Sequence, residues 1–246
     1  MSSRPESKHC HEELCRCLAT TLFSTLKAID TAKTRSYYSR PLDRALFLAD
    51  LARVLVTTNQ NVLLSQLVAH ALKFNEEYPL VTVHVPALRQ LATWLRKHLK
   101  QPCVPVADWI AAVSLQLAAR TTKEPQPPAD YRRQATLKCK CADCKAVNTF
   151  LVDASSPAFR LRARQQIRDH VNNEIINSGD CDLATTTDCK GSPHTLVCTK
   201  TTRSFEQSLK TYREDLDHLA TIQSLGEFLS VKSKRVPEPF LTLRLG

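Results

Sequence analysis

The sequence predicts a mainly α protein: an N-terminal helical bundle, then a small α+β domain with a β-hairpin and a long C-terminal helix. Three observations carry that expectation. The 246 residues hold four glycines and eight phenylalanines, too few for a β-sandwich built on glycine turns. Apolar residues of the first half recur at three- and four-residue steps, the period of a helix face. Residues 121–136 contain three prolines and no aliphatic side chain larger than alanine, so they break the packing pattern and mark a boundary. The expected organisation is a bundle over 1–120, a proline-rich linker over 121–138, an α+β module over 139–230 and a flexible basic tail over 231–246.

The first helix is expected to bury one stripe, Cys10, Leu14, Cys17, Leu18, Thr21, Leu22 and Ile29, in which the cysteines pack as small apolar groups. Further helices are signalled by Leu42 through Leu55, by Val62 through Phe74, by Leu88, Leu91, Leu95 and Leu99, and by Val106 through Leu117. Pro41 and Pro86 fall near helix starts, where the missing N–H costs nothing, while Pro79, Pro102 and Pro105 fall in connections. No residue pattern repeats at about 34 to 45 positions, so a compact bundle is expected instead of a solenoid. Trp94 and Trp109 lie within helical periods and are expected in the core.

In the second half, Val147 to Val152 is a short apolar stretch, and residues 159–176 read as a helix with Ala163, Ile167, Val171 and Ile175 on one stripe and His170 beside it. The threonine-rich runs 181–188 and 193–200, joined around Lys190-Gly191-Ser192, read as a β-hairpin. Phe205, Leu209, Tyr212, Leu216 and Leu219 then step by four and three along a long helix.

The chemistry concentrates in Cys139, Cys141 and Cys144, three thiols within six residues. The N-terminus shows no apolar signal core and no run of about 18 apolar residues occurs, so an intracellular protein, cytoplasmic or nuclear, is expected. Its ten cysteines would then stay reduced, and clustered ones are metal ligands more often than disulfides. Zinc takes four tetrahedral sulfur and nitrogen ligands, and a site closed by four protein ligands is structural. The three cysteines need a fourth partner. His170 is favoured, as a histidine on the first stable helix after them; Cys181, Cys189, His194 and Cys198 are the alternatives, and those four could also form a second site. His9 and His11, beside Cys10, Cys15 and Cys17, offer a weaker N-terminal possibility.

A net charge of +10 suits acidic partners or nucleic acid. No basic arm stands out, because residues 1–119 carry 14 Lys and Arg against 9 Asp and Glu, and residues 120–246 carry 20 against 15. The denser runs are Arg132, Arg133, Lys138, Lys140 and Lys145, then Arg160, Arg162, Arg164 and Arg168, and finally Lys232, Lys234 and Arg235. Among catalytic motifs, there is no Gly-x-Ser-x-Gly, no phosphate-cradling glycine loop and no His-Glu-x-x-His.

Cys139-x-Cys141-x2-Cys144, Phe150-Leu151-x-Asp153, Arg168-Asp169-His170, Asp182-Leu183 and above all Gly191-Ser-Pro-His-Thr-Leu-Val-Cys-Thr-Lys-Thr201 resemble a region in the C-terminal part of large fungal proteins. Those proteins carry an iron- and 2-oxoglutarate-dependent dioxygenase-like domain further upstream. The resemblance covers roughly residues 139–225 and implies a module, not a reaction. A dioxygenase holds iron with two histidines and a carboxylate on a strand framework. The one His-x-Glu here, His11-Glu12-Glu13, lies on a predicted helix, so no catalytic iron is expected. The expected function is a non-catalytic, zinc-stabilised interaction module that docks protein partners, with no membrane and no small-molecule substrate. The alternative is a basic nucleic-acid-binding protein in which Arg132, Arg133, Lys138, Lys140, Lys145 and the Arg160 to Arg168 series contact phosphates beside the zinc site; with only Tyr131, Phe150 and Phe159 nearby, base stacking would be weak.

Overall fold

The computed structural model describes residues 5–32, 42–98, 103–179 and 181–233. The side chains of His9, Cys10 and His11, the residues Pro41, Leu99 and Pro102, and the expected tail beyond Ser233 lie outside that description. The elements in chain order are α1 (Pro5–Ala32), α2 (Arg44–Thr57), α3 (Asn61–Lys73), α4 (Val85–His98), α5 (Val104–Arg120), α6 (Ala142–Val152), β1 (Ala158–Arg162), α7 (Gln165–Asn177), β2 (Leu183–Asp188), β3 (Thr195–Lys200) and α8 (Arg203–Ser233). The fold is mainly α with a small α+β part. The chain divides into two units, Met1–Thr122 with Glu214–Gly246, and Lys123–Arg213.

In the first unit the apolar periods become helices with defined ends. Asp43 caps α2, its Oδ1 accepting the Leu46 N–H at 3.0 Å, which satisfies one of the free donors of the first turn. A single π-helical turn, Leu80–His84, leads into α4, and there the Val85 N–H reaches back to the Leu80 carbonyl. Pro86 follows directly; lacking an N–H and crowding the carbonyl four residues back, it suits a locally widened helix. Pro105, expected in a connection, instead sits buried in the first turn of α5, where proline needs no N–H partner.

The stripe expected on α1 does not face the core. Leu14, Leu18, Leu22 and Ile29 are 48–55% exposed, whereas Ala19, Phe23, Leu26 and Asp30 are buried. The helix is rotated about its axis by a polar requirement that apolar spacing does not register. Asp30 accepts hydrogen bonds from Arg44 Nη1 at 2.7 Å and Tyr78 Oη at 2.8 Å, and pairs with His70 Nε2 at 2.9 Å. The His70 ring packs on Phe74 and meets Phe23 edge-on, and the Arg44 guanidinium lies over the Tyr78 ring. Burial alone would raise the Asp30 carboxyl, but the bonds from His70, Tyr78 and Arg44 outweigh it and hold the group below its ordinary value. One carboxylate thus joins α1, α2, α3 and the turn after α3.

Trp109 is fully buried and its indole N–H donates to His84 Nδ1 at 3.0 Å; Trp94 packs against the same core and stacks on His98. Burial holds His84 down at about 4, so the ring is neutral at pH 7 and its Nδ1 lone pair accepts the hydrogen bond from the indole N–H. A depressed histidine favours folding above its unfolded value of ~6.5 and loses that contribution as pH falls towards the folded value, about 3 kcal/mol in all. Urea midpoints followed by tryptophan fluorescence are therefore expected to fall between pH 6.5 and 4 in the wild type. His84→Gln, which keeps an acceptor for Trp109, should flatten that slope.

The last part of α8 belongs to this unit. Ile222 and Leu225 are buried in the bundle core with Leu219 against it, Asp215 Oδ2 pairs with Arg120 Nε at 2.9 Å, and Arg89 Nη2 donates to Thr221 Oγ1. Residues 214–230, placed by sequence with the α+β module, are held here by these side chains. Leu216 of the expected stripe is 38% exposed, since the core-facing row passes instead through Asp215, Ile222 and Leu225.

The second unit is a three-stranded antiparallel sheet of order β1-β3-β2 with α6 and α7. The hairpin pairs Leu183 with Lys200 through Asp188 with Thr195, and β1 pairs Ala158 with Thr199 through Arg162 with Thr195. Leu183, Leu196 and Cys198 are buried with Val147, Leu151, Val171 and Ile175, and Phe159 and Leu161 pack against them. The helix expected over 159–176 is thus two elements, a strand over 158–162 and a helix over 165–177. Alternation of exposed Arg160 and Arg162 with half-buried Phe159 and Leu161 is the two-residue period of a strand, too short to outweigh the helical pattern that follows it. On α7 the buried residues are Arg168, Val171 and Ile175, and Ile167 is exposed.

Residues 131–137, read as unpacked linker, run against α6. The Tyr131 and Arg133 N–H groups donate to the Ala154 and Leu151 carbonyls, at 3.2 and 2.7 Å. Buried Arg133 gives its Nε to the Thr201 carbonyl and its Nη1 to those of Asp130 and Arg132. This segment is held by polar groups, which a search for apolar residues overlooks.

Candidate metal centre

Cys139 lies in the loop before α6, Cys141 is the N-cap of α6, Cys144 is in its first turn, and His170 is near the middle of α7. The loop is aligned by Asn148, one side chain of α6 that accepts the Leu137 N–H at 2.8 Å and donates to the Leu137 carbonyl at 3.2 Å. With Leu137 buried beneath it, the chain two residues on is held over the start of α6. Val171 and Ile175 anchor α7 in the same core, which sets His170 opposite the loop.

The ligand atoms of these four residues all lie within 4.8 Å of one another. His170 Nε2 is 3.4 Å from Cys139 Sγ and 3.5 Å from both Cys141 and Cys144 Sγ. One ring nitrogen has one hydrogen or one lone pair, so it cannot bond three sulfurs separately. Near-equal separations are what a shared ion between the four atoms requires. The group could hold a metal ion, and an ion that takes four tetrahedral ligands would have no coordination position left for water or substrate.

The electrostatics agree with a cation at the centre. The Cys144 N–H donates to Cys141 Sγ at 3.4 Å, so sulfur takes the N-cap role usually filled by Ser, Thr or Asp. That bond, chiefly, brings the Cys141 thiol down to about 7. Burial, and then the neighbouring Cys141 and Cys139, push Cys144 well above the ordinary thiol value. Three adjacent thiols cannot all ionise on their own; a divalent ion removes the repulsion and deprotonates them together.

The other proposed ligands lie elsewhere. Cys181 and Cys198 are buried in the core of the unit, where burial first and Cys181 second raise Cys198 to about 11. Cys189 is exposed in the hairpin loop, and His194 Nδ1 is engaged with the Gly191 carbonyl at 2.9 Å. Among the described residues, none of these four belongs to a metal-holding group of three or more. Asn148 is the supporting residue that sequence reading missed, and no spacing rule would have found it.

Several basic residues of this unit are engaged internally. Arg133 and Arg168 are buried, Arg160 pairs with Asp188 at 2.6 Å, and Arg162 donates to the Ser192 and Pro193 carbonyls. Lys138, Lys140, Lys145 and Arg164 are exposed, but Asp143 and Asp169 stand next to the ligands in the same stretches of chain. No helix among the described residues is long and apolar enough to cross a membrane. No family model matches the sequence, and no curated protein and no solved structure matches it.

Proposed function

We propose that residues 123–213 are a non-catalytic module whose fold depends on a structural zinc ion held by Cys139, Cys141, Cys144 and His170, and that the module docks a protein partner inside the cell. The observation that carries this reading is the distance from His170 Nε2 to the three sulfurs, 3.4 to 3.5 Å. Zinc bonds of ~2.3 Å to sulfur and ~2.05 Å to nitrogen, set at tetrahedral angles, place N and S about 3.5 Å apart. An iron–sulfur cluster would interpose several irons and sulfides between its ligands, and atoms within 4.8 Å of one another leave no room for them. Hard cations prefer oxygen, and no carboxylate belongs to the group.

A closed site favours support over catalysis, and the internal engagement of Arg133, Arg160 and Arg162 favours a protein partner over a phosphate backbone. The likeness of residues 139–225 to the C-terminal region of fungal dioxygenase-like proteins belongs to the same proposal, as kinship to a module without an assigned reaction. Zinc stoichiometry on protein purified under reducing conditions, without added metal, tests it. The wild type is expected to carry one equivalent, and Cys141→Ser and His170→Ala substantially less. Metal-free wild type would overturn the zinc reading, and full occupancy in His170→Ala would remove His170 from the ligand set. Binding to mixed-sequence DNA or RNA that weakens steeply with salt would replace the protein partner by nucleic acid.

A further inference from the structure

The second unit contains two buried arginines that are satisfied differently. Arg133 is surrounded by carbonyl acceptors, with Asp182 Oδ2 at 4.0 Å. Arg168, on α7 and only 8% exposed, gives its Nε to the Ala163 carbonyl at 3.2 Å. That bond orients the guanidinium. Its two Nη groups have no hydrogen-bond or carboxylate partner among the described residues. The Nη groups are not enclosed, so they open on solvent, and a fork of this shape matches a planar carboxylate.

Arg168 lines a cavity of about 170 Å³ between α7 and β2, with Asp169, Asn172, Thr185, Thr187 and Leu196 on the other walls. Thr185 Oγ1 donates to Asn172 Oδ1 at 2.6 Å, which uses the amide oxygen and leaves the Nδ2 group as a donor. Thr185 and Thr187 share one face of β2 because side chains alternate along a strand. Thr187 Oγ1 has no hydrogen bond among the described residues. The walls therefore offer a guanidinium fork, an amide N–H and a hydroxyl. The cavity is smaller than the ~300–1,000 Å³ of sites that enclose whole small molecules, so it suits a head group. Asp169 on its wall offsets the charge of Arg168 and works against a dianion such as a phosphate monoester.

We propose that this cavity is a carboxylate-binding pocket, in which the Arg168 fork, assisted by Asn172 and Thr187, takes a single carboxylate presented by a protein partner. The proposal rests on the protein-docking reading above and supplies the chemistry of the contact: an acidic side chain or a free C-terminus entering beside α7, the helix that also carries His170.

The test uses the full chain, with metal content measured on the same preparation. Amide resonances are followed by NMR while sodium acetate is added, against sodium chloride at equal ionic strength. Acetate is expected to give saturable shifts at Arg168, Asn172 and Thr185 to Thr187, and chloride none. N-acetylglycine and the N-methylamide of N-acetylaspartate then separate a C-terminal from a side-chain source. Arg168→Gln should weaken acetate by about tenfold or more, and Asn172→Leu, which leaves Arg168 and its Ala163 bond in place, should also weaken it. Equal shifts with chloride, no saturable shift, or undiminished acetate binding in both variants would overturn the proposal. Metal-loaded protein that ignores acetate would remove the pocket and leave the zinc reading standing. Metal-free protein that binds acetate would do the reverse.

Discussion

Chelation of the proposed zinc ion under reducing conditions is expected to unfold residues 123–213. The core of that unit is small, eleven buried residues from Leu137 to Cys198 with a few half-buried neighbours. The loop carrying Cys139 has no helix or strand of its own. Zinc binding contributes on the order of 10 kcal/mol in small modules, which is comparable to the whole stability of an ordinary domain. The two units can be followed separately, since Trp94 and Trp109 both lie in the first. Chelator should therefore leave tryptophan emission nearly unchanged. Far-UV circular dichroism should lose the contributions of α6 and α7, and limited proteolysis should open between residues 123 and 213. Cys144→Ser should give the same result without chelator, and added zinc should not rescue it. Unchanged dichroism and protease resistance after complete metal removal would show that Asn148, Arg133 and the sheet suffice to hold the unit.

Asp30→Ala is expected to cost the first unit about 3–5 kcal/mol, the usual consequence of removing one partner from a buried charge network. The substitution leaves the Tyr78 hydroxyl and His70 Nε2 without their acceptor, and the Arg44 guanidinium without its ion pair. Urea midpoints read from Trp109, in the same core, measure the effect. Tyr78→Phe removes one bond only and should cost about 1 kcal/mol. If the network is cooperative, the double variant will cost less than the sum of the two. The pH dependence has a definite sign. Asp30 is depressed in the folded state, so its contribution is full above the unfolded carboxyl value of ~3.9 and is lost only as pH falls through the lower folded value. The His84 contribution is lost earlier, between about pH 6.5 and 4. A loss of less than about 1 kcal/mol in Asp30→Ala would show that α1 holds its rotation through Phe23 and Leu26 alone.

Helices α2 to α5 were legible because each repeats an apolar period over three or more turns, and Pro86 marks the start of α4. The hairpin was legible from two threonine-rich runs about a glycine. α1 misled for a definite reason. Leu14, Leu18, Leu22 and Ile29 form the more regular apolar stripe, yet Phe23 and Leu26 are buried because Asp30 beside them is needed by Arg44, His70 and Tyr78. β1 was hidden by its five residues, since a single alternation placed directly before a helix is absorbed into the helical pattern. On the metal side, three thiols within six residues suggest shared ligation, and the turn into α6, with Cys141 as its N-cap and Cys144 in its first turn, brings them together. The fourth candidate was one of five choices, and the placement of α7 sets His170 Nε2 within 3.5 Å of the three sulfurs.

By itself, the sequence determined what local spacing controls: the helical class of the first half, the hairpin, and the proximity of Cys139, Cys141 and Cys144. Only the tertiary structure decided the contacts between residues far apart in the chain. It brought His170 to sulfurs 26 to 31 positions away and turned Asp30 towards partners 14 to 48 positions distant. It also drew Ile222 and Leu225 into the bundle. Such contacts are chosen by which burial leaves the fewest polar groups unpaired across the whole chain, and no single window of residues carries that information.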